Sequence, residues 1–115
     1  MTALPIDLDP TRIDVRAATS ADGAVITVSG EIDSTTAPGL RTCLLEVLER
    51  PGTVTVEVDL TGVSFLDSAG LSALATAHRA AQAGGRTLQM RVGGTRAVVR
   101  PLEITGLRDV FTVVG

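Results

Sequence analysis

Apolar residues recur along this chain with two periods, one typical of strands and one typical of helices. Alternation over residues 12–17 and again over residues 24–30 predicts two strands, and Asp22-Gly23 between them favours a hairpin turn. A β-branched run over residues 53–60 predicts a third, central strand, and residues 87–92 predict a fourth. In the third strand the even-numbered residues are expected to share one face: Val54, Val56, Val58 and Leu60.

The two helices predicted between these later strands are bounded by residues that commonly begin and end helices. Capping side chains at residues 33–38 precede an apolar helical stripe, and Pro51-Gly52 ends this first helix. A loop over residues 61–67 then leads to the second helix. That helix is expected from about Ser68 to Ala83, because Gly84-Gly85 follows it.

The end of the chain predicts a third helix after residues 93–95, shortened or kinked by Pro101, and then a short amphipathic tail over residues 107–114. Strands that alternate with helices favour right-handed crossovers, so we expect an α/β sheet with helices packed on it. With 115 residues, 44% of them hydrophobic, the chain is long enough for one core. Residues 1–10 are expected to be a flexible N-terminal lead and residues 11–115 the domain.

The composition argues against several classes of protein. The net charge is −3 and the arginines are spread along the chain, which disfavours a direct nucleic-acid partner. The absence of lysine removes P-loop and Schiff-base chemistry. The single cysteine, Cys43, is expected to be a small structural hydrophobe. Because the sequence shows no signal peptide and no membrane span, a cytoplasmic location is expected. An aromatic content of 2% offers no obvious hydrophobic anchor for a partner.

A serine beside an aspartate raises the question of hydrolase chemistry. The one histidine, His78, follows Ser68 by ten residues on the same predicted helix, which separates them by ~15 Å along the axis. A nucleophile and its base must lie within ~3 Å of each other. His78 is therefore expected on the helix surface, and no enzyme activity is expected. No cluster of His, Cys and carboxylate residues has the spacing of metal ligands, so no metal or cofactor is expected either.

Three segments resemble the STAS family, and in particular its anti-sigma factor antagonists. They are ITVSGEID at residues 26–33, VEVDLTGVSFLDSAGL at residues 56–71 and LEITGL at residues 102–107. The resemblance covers the chain from about Arg12 to Phe111. It implies a single STAS domain, with a mixed, mostly parallel sheet, an N-terminal hairpin and helices packed on the sheet.

The resemblance also implies a switch that works by exchange of partners. The unphosphorylated protein would bind an anti-sigma factor that is also a serine kinase and free the sigma factor. Phosphorylation of Ser68 would end this binding, and a metal-dependent serine phosphatase would restore it. Carried over by position, Asp33, Asp67 and Ser68 would contact the partner. Gly70 is a fourth candidate contact, because glycine allows close approach of another backbone, and the alternative is that Gly70 is only a residue of the first helical turn. Ala69 stands where many relatives have a second hydroxyl, which leaves Ser68 as the acceptor.

Several alternatives remain open at this stage. Asp67 and Ser68 are common helix caps, and Asp33 is as well explained by a cap as by a partner contact. The same fold also serves as a STAS scaffold subunit of a lipid-transport complex or of a stress-signalling complex. The sequence does not decide between these roles, nor between a monomer and a homodimer.

Overall fold

The computed structural model describes residues 12–114, so the lead expected at residues 1–10 lies outside the described residues. Within the described part, five strands form one sheet whose spatial order follows chain order. The strands are β1 (Ile13–Thr19), β2 (Gly23–Ile32), β3 (Thr55–Leu66), β4 (Thr87–Arg91) and β5 (Thr112–Val114). The helices are α1 (Ala37–Glu49), α2 (Ser68–Ala83) and α3 (Arg96–Thr105), and a 3-10 turn covers Leu107–Asp109.

The sheet is mixed, with its one antiparallel pair at the N-terminal edge. β1 pairs antiparallel with β2, whereas β2, β3, β4 and β5 run parallel to one another. A helix lies between the two strands of each parallel pair along the chain. Each new strand is added on the same side of the sheet, and right-handed crossovers of this kind place their helices on the same face. The predicted α/β class, the N-terminal hairpin and the central third strand are confirmed.

One face of the sheet carries the core. Its buried strand residues include Ala24, Ile26, Val28, Val56, Val58, Leu60, Leu88 and Met90. The helices cover this face with apolar stripes that include Leu40, Leu44 and Leu48 of α1 and Leu71, Leu74 and Ala81 of α2. The opposite face is partly exposed and mostly polar, with Thr27, Glu57, Asp59, Gln89 and Arg91. Within residues 12–114 no helix is long and apolar enough to cross a membrane.

β3 is longer than the sequence predicts, because it continues to Leu66. The loop expected at residues 61–67 is therefore mostly strand, paired with the end of β2 through two register shifts. The carboxylate of Asp59 accepts hydrogen bonds from the N–H (3.0 Å) and the hydroxyl (2.7 Å) of Thr61, and these bonds lower the pKa of Asp59. Thr61 and Gly62 are both exposed, so the alternating pattern stops there although the backbone pairing continues.

The last third of the chain departs from two predictions. α3 continues past Pro101 to Thr105, so the expected shortening is wrong, and the alternative of a kink at Pro101 stays a prediction. The proline removes only one backbone donor, and the Thr105 hydroxyl donates to the Pro101 carbonyl at 2.7 Å in the last turn. The expected tail contains a fifth strand, β5, which pairs in parallel with β4. Three residues are too few to show a strand period.

Two side chains lie where the sequence does not predict them. Val54 precedes β3 and is 56% exposed, so it does not share the buried face. His78 is only 7% exposed, and its ring packs edge-on against Phe111 with ring centroids 5.4 Å apart. The predicted surface position of His78 is wrong because this residue follows Leu74 by one turn on the buried stripe of α2.

Candidate functional site

Asp67 and Ser68 have different structural positions at the start of α2. Asp67 is the N-cap, and its Oδ1 accepts hydrogen bonds from the N–H groups of Ala69 (2.9 Å) and Gly70 (3.1 Å). Ser68 is the first helical residue and is exposed. Among the described residues its hydroxyl makes no hydrogen bond with another side chain or backbone group. Asp67 therefore supplies the cap, and the Ser68 hydroxyl faces solvent.

The backbone around Ser68 is fixed by the ends of two parallel strands. β3 ends at Leu66, and the N–H of Asp67 donates to the carbonyl of Ile32, the last residue of β2, at 3.2 Å. The carbonyl of Asp67 in turn accepts from the N–H of Leu71 at 3.0 Å. Asp33 and Ser68, each one residue beyond this contact, are thus brought together at the carboxyl edge of the sheet.

Gly70 lies inside the protein. It is buried, and a Cβ at this position would lie 2.4 Å from Leu66 Cδ1 and 2.7 Å from Ile32 Cγ2. The missing side chain therefore allows the first turn of α2 to pack on the ends of β2 and β3. The close approach that the sequence suggests at Gly70 is made by this chain's own side chains. A partner contact at Gly70 stays a prediction.

Asp33 organises the loop between β2 and α1. Its Oδ1 accepts hydrogen bonds from the N–H groups of Thr35 (2.9 Å) and Thr36 (3.1 Å), and its Oδ2 forms an ion pair with Arg12. Its own N–H donates to the Thr36 hydroxyl oxygen at 2.9 Å, and that hydroxyl donates to the Glu31 carbonyl at 2.8 Å. With these contacts the Asp33 side chain is 18% exposed. It stabilises the turn that precedes α1 and does not cap the helix itself, whose N-cap is Thr36.

Arg12 belongs to this network, and the sequence analysis did not identify it. Besides Asp33, its guanidinium contacts Glu31, with Nε 3.3 Å from Oε1. The contact follows from the observed register of the hairpin, which the predicted turn at Asp22-Gly23 did not give. Because Ile13 pairs with Gly30, the residue before Ile13 lies opposite the residue after Gly30. Gly30 has a φ of 98°, and a Cβ there would lie 2.2 Å from the Arg12 carbonyl oxygen, so only glycine allows the two strands to approach.

A shallow cleft connects the Asp33 loop with the start of α2. The cleft has a volume of about 180 Å³. It is lined by Ser34, Ala37, Pro38 and Arg41 on one side and by Ala69, Ser72 and Ala73 on the other. The exposed surface beside Ser68 is therefore formed by the first turns of both α1 and α2. Arg41 places a positive charge on its α1 side.

Comparisons with known proteins identify the family of this chain. A family model described as Mlab, STAS domain, matches residues 15–114. A protein named anti-sigma-B factor antagonist from Listeria monocytogenes is 35% identical over 88 residues, which are 76% of this chain and 75% of that relative.

Solved structures give the same result. The crystal structure of an anti-sigma factor antagonist from Mycobacterium paratuberculosis has a TM-score of 0.78 and 31% identity, covering 90% of this chain and 86% of that chain. The Bacillus cell fate determinant SpoIIAA in its phosphorylated form shares the fold, with a TM-score of 0.68, 16% identity and coverage of 89% and 92%. Since the family model spans most of the described residues, the chain belongs to the STAS domain family.

Proposed function

We propose that this protein is an anti-sigma factor antagonist that exchanges partners according to the state of Ser68. The unphosphorylated form binds an anti-sigma factor with serine kinase activity and thereby frees the sigma factor in the cytoplasm. Phosphorylation of Ser68 ends this binding, and a metal-dependent serine phosphatase reverses it. The relatives named anti-sigma factor antagonists support this class of function.

The observation that carries the proposal is the exposed Ser68 hydroxyl, which has no hydrogen-bond partner among residues 12–114. A kinase can reach such a hydroxyl without unfolding the helix. Because Asp67 already accepts the N–H groups of Ala69 and Gly70, a phosphate on Ser68 is not needed as a cap and extends into solvent. The positive end of the α2 dipole also tolerates an anion at this position.

The effect of the modification is electrostatic. A phosphate adds about −1.5 to −2 charges at neutral pH, and it does so directly beside the Asp67 carboxylate. The folded structure needs no rearrangement to accommodate it. A partner seated over the start of α2 then meets a concentrated negative charge and additional bulk.

Phosphosite mapping tests the proposal. The wild-type protein, Ser68→Ala and the matched control Ser72→Ala are each expressed in the native host and recovered from extracts with and without ATP. Ser72 is exposed on α2 one turn after Ser68. The Ser72→Ala variant therefore shows whether the loss of another hydroxyl nearby has the same effect as the loss of the Ser68 hydroxyl. We expect phosphate on Ser68 in the wild type and in Ser72→Ala. We expect none in Ser68→Ala, together with an anti-sigma factor that stays bound when ATP is present.

Two outcomes contradict the proposal. Phosphate found on Ser68→Ala means that the acceptor is another residue. Recovery of a stable complex without any phosphate, containing a transporter or a stress-signalling assembly instead of an anti-sigma factor, supports the scaffold alternative. That alternative is retained because the description of the matching family model names no antagonist.

A further inference from the structure

A second surface lies beside Ser68, on the side of β3 away from β2. It is a groove of about 280 Å³ between the end of β3 and α3. We call it the β3–α3 groove. Its lining includes Phe65, Leu66, Arg96, Arg100, Pro101 and Ile104. Most of this lining is apolar, so the groove is suited to an apolar side chain.

Two large apolar side chains of the groove are exposed to solvent. Phe65 is 48% exposed and Ile104 is 70% exposed. The chain has only two aromatic residues, and the other one, Phe111, is buried. A large exposed apolar surface is costly in water and commonly marks a site of contact with another molecule. Phe65 thus provides the hydrophobic anchor that the composition did not reveal.

The groove also carries concentrated positive charge. Arg96 and Arg100 lie one helical turn apart on α3, and both are exposed. Within residues 12–114 neither forms an ion pair, whereas Arg12, Arg91 and Arg108 each have a carboxylate partner. Two unpaired guanidinium groups on a protein of net charge −3 attract carboxylates of another molecule.

The groove is held in a fixed position relative to Ser68. The Thr95 hydroxyl, at the start of α3, donates to the Thr61 carbonyl of β3 at 3.0 Å. Phe65 precedes Ser68 by three residues, and between them the Asp67 N–H is tied to the end of β2. The groove and the Ser68 backbone are therefore held in a fixed arrangement by the end of β3.

We infer that the β3–α3 groove is a docking site for an acidic, apolar segment of the anti-sigma factor. In this arrangement an apolar side chain of the partner packs on Phe65 and Ile104, and flanking carboxylates pair with Arg96 and Arg100. Aromatic and arginine side chains are the residues most enriched at the energetic centres of interfaces. This inference rests on the proposed function, because it names the same partner.

The inferred docking gives a physical reason why a phosphate on Ser68 would oppose binding. A partner segment with carboxylates is attracted by the arginines of α3 while Ser68 is unmodified. A phosphate on Ser68 places like charge beside that segment, and juxtaposed like charges oppose association.

The test measures affinity for the anti-sigma factor recovered by the native-host experiment. The groove variants are Phe65→Ala, Ile104→Ala and the double variant Arg96→Gln with Arg100→Gln. Their matched controls are Val54→Ala, an exposed apolar residue, and Arg50→Gln with Arg79→Gln, two exposed arginines without ion pairs among the described residues. The control positions lie near the ends of α1 and α2 and the start of β3, at the edge of the sheet opposite Ser68. Circular dichroism verifies that each variant is folded.

We expect each groove variant to bind about tenfold or more weakly, and the controls to bind like the wild type. The affinity of the wild type should fall as salt rises from about 0.05 M to about 0.5 M, and the double arginine variant should lose much of this dependence. If Ser68→Glu weakens binding while folded groove variants bind like the wild type, the groove inference is overturned and the proposed function stands. If the wild-type protein binds no anti-sigma factor, both are overturned.

Discussion

At the scale of single residues, the site depends on a division of roles between neighbours. Asp67 accepts the free N–H groups at the start of α2, which leaves the hydroxyl of Ser68 exposed. Gly70, three residues after the cap, is buried between Ile32 and Leu66 and allows the helix to start close to the sheet. An exposed hydroxyl is thus carried by a backbone that is fixed on both sides.

Replacement of Gly70 by alanine tests this packing. The added Cβ would lie 2.4 Å from Leu66 Cδ1 and 2.7 Å from Ile32 Cγ2, so these side chains must shift within a packed core. We expect Gly70→Ala to lower the free energy of unfolding by about 1–3 kcal/mol, measured by urea denaturation. The control is Gly39→Ala in α1, where the new Cβ has no atom within 4 Å and no loss of stability is expected. Equal stabilities of the two variants would contradict the packing role.

At the scale of elements, the loop between β2 and α1 is organised by its own hydrogen bonds and by β1. Asp33 stabilises the turn before α1 with Oδ1 and pairs with Arg12 through Oδ2, so one carboxylate connects the hairpin to the helix. Thr36 is the formal N-cap of α1 but makes no capping hydrogen bond with its side chain. The Thr36 hydroxyl instead donates to the Glu31 carbonyl at 2.8 Å.

Two substitutions at Asp33 separate the hydrogen bonds of the turn from the charge. Asp33→Asn keeps an oxygen for the N–H groups of Thr35 and Thr36 but loses the ion pair with Arg12, and a partly exposed ion pair contributes at most about 1 kcal/mol. Asp33→Ala loses both, and the loss of the hydrogen bonds to Thr35 and Thr36 costs about 0.5–2 kcal/mol more. Urea denaturation measures this order. The affinity of the folded variants for the anti-sigma factor measures any partner contact, and unchanged affinity in both would leave Asp33 with the role in the turn alone.

The elements that the sequence predicts well are those whose ends carry a local chemical signal. α2 has its predicted bounds, Ser68–Ala83, because a cap precedes it and two glycines follow it. The extension of β3 was missed because Thr61 and Gly62 interrupt the alternating pattern, and β5 was missed because it has three residues. The extension of β3 and the strand β5 are determined by pairing with neighbouring strands. The periodicity of apolar residues within a segment gives no information about that pairing.

The candidate site was predictable to the extent that it is contiguous in sequence. Asp67 and Ser68 follow each other, and their position at a helix start could be read from the cap pattern. The contact of Asp33 with Arg12 joins residues 21 positions apart, and the β3–α3 groove joins Phe65 to Ile104. Neither follows from local periodicity. His78 shows the converse, because its position on the apolar stripe indicated burial while its polar character suggested exposure.

At the scale of the whole molecule, the carboxyl edge of the sheet collects the features that a partner would meet. Because β2 and β3 run parallel, they end at the same edge of the sheet, and the helices α1 and α2 that follow them start there. The Asp33 loop, Ser68 and the β3–α3 groove are therefore neighbours, although they come from separate parts of the chain. The molecule has a net charge of −3, and two of the arginines without an ion pair in the described part of the chain, Arg96 and Arg100, lie at this same edge.

The salt dependence of two Ser68 variants tests whether charge ends the interaction. Ser68→Glu adds a negative charge, and Ser68→Gln adds nearly the same bulk without the charge. At about 0.05 M salt we expect Ser68→Glu to bind the anti-sigma factor about tenfold or more weakly than Ser68→Gln. At about 0.5 M salt, where the Debye length is only a few ångströms, the two affinities should converge. Titration calorimetry at both salt concentrations gives the comparison. If Ser68→Gln binds as weakly as Ser68→Glu at every salt concentration, bulk alone closes the surface and electrostatic repulsion is not the mechanism.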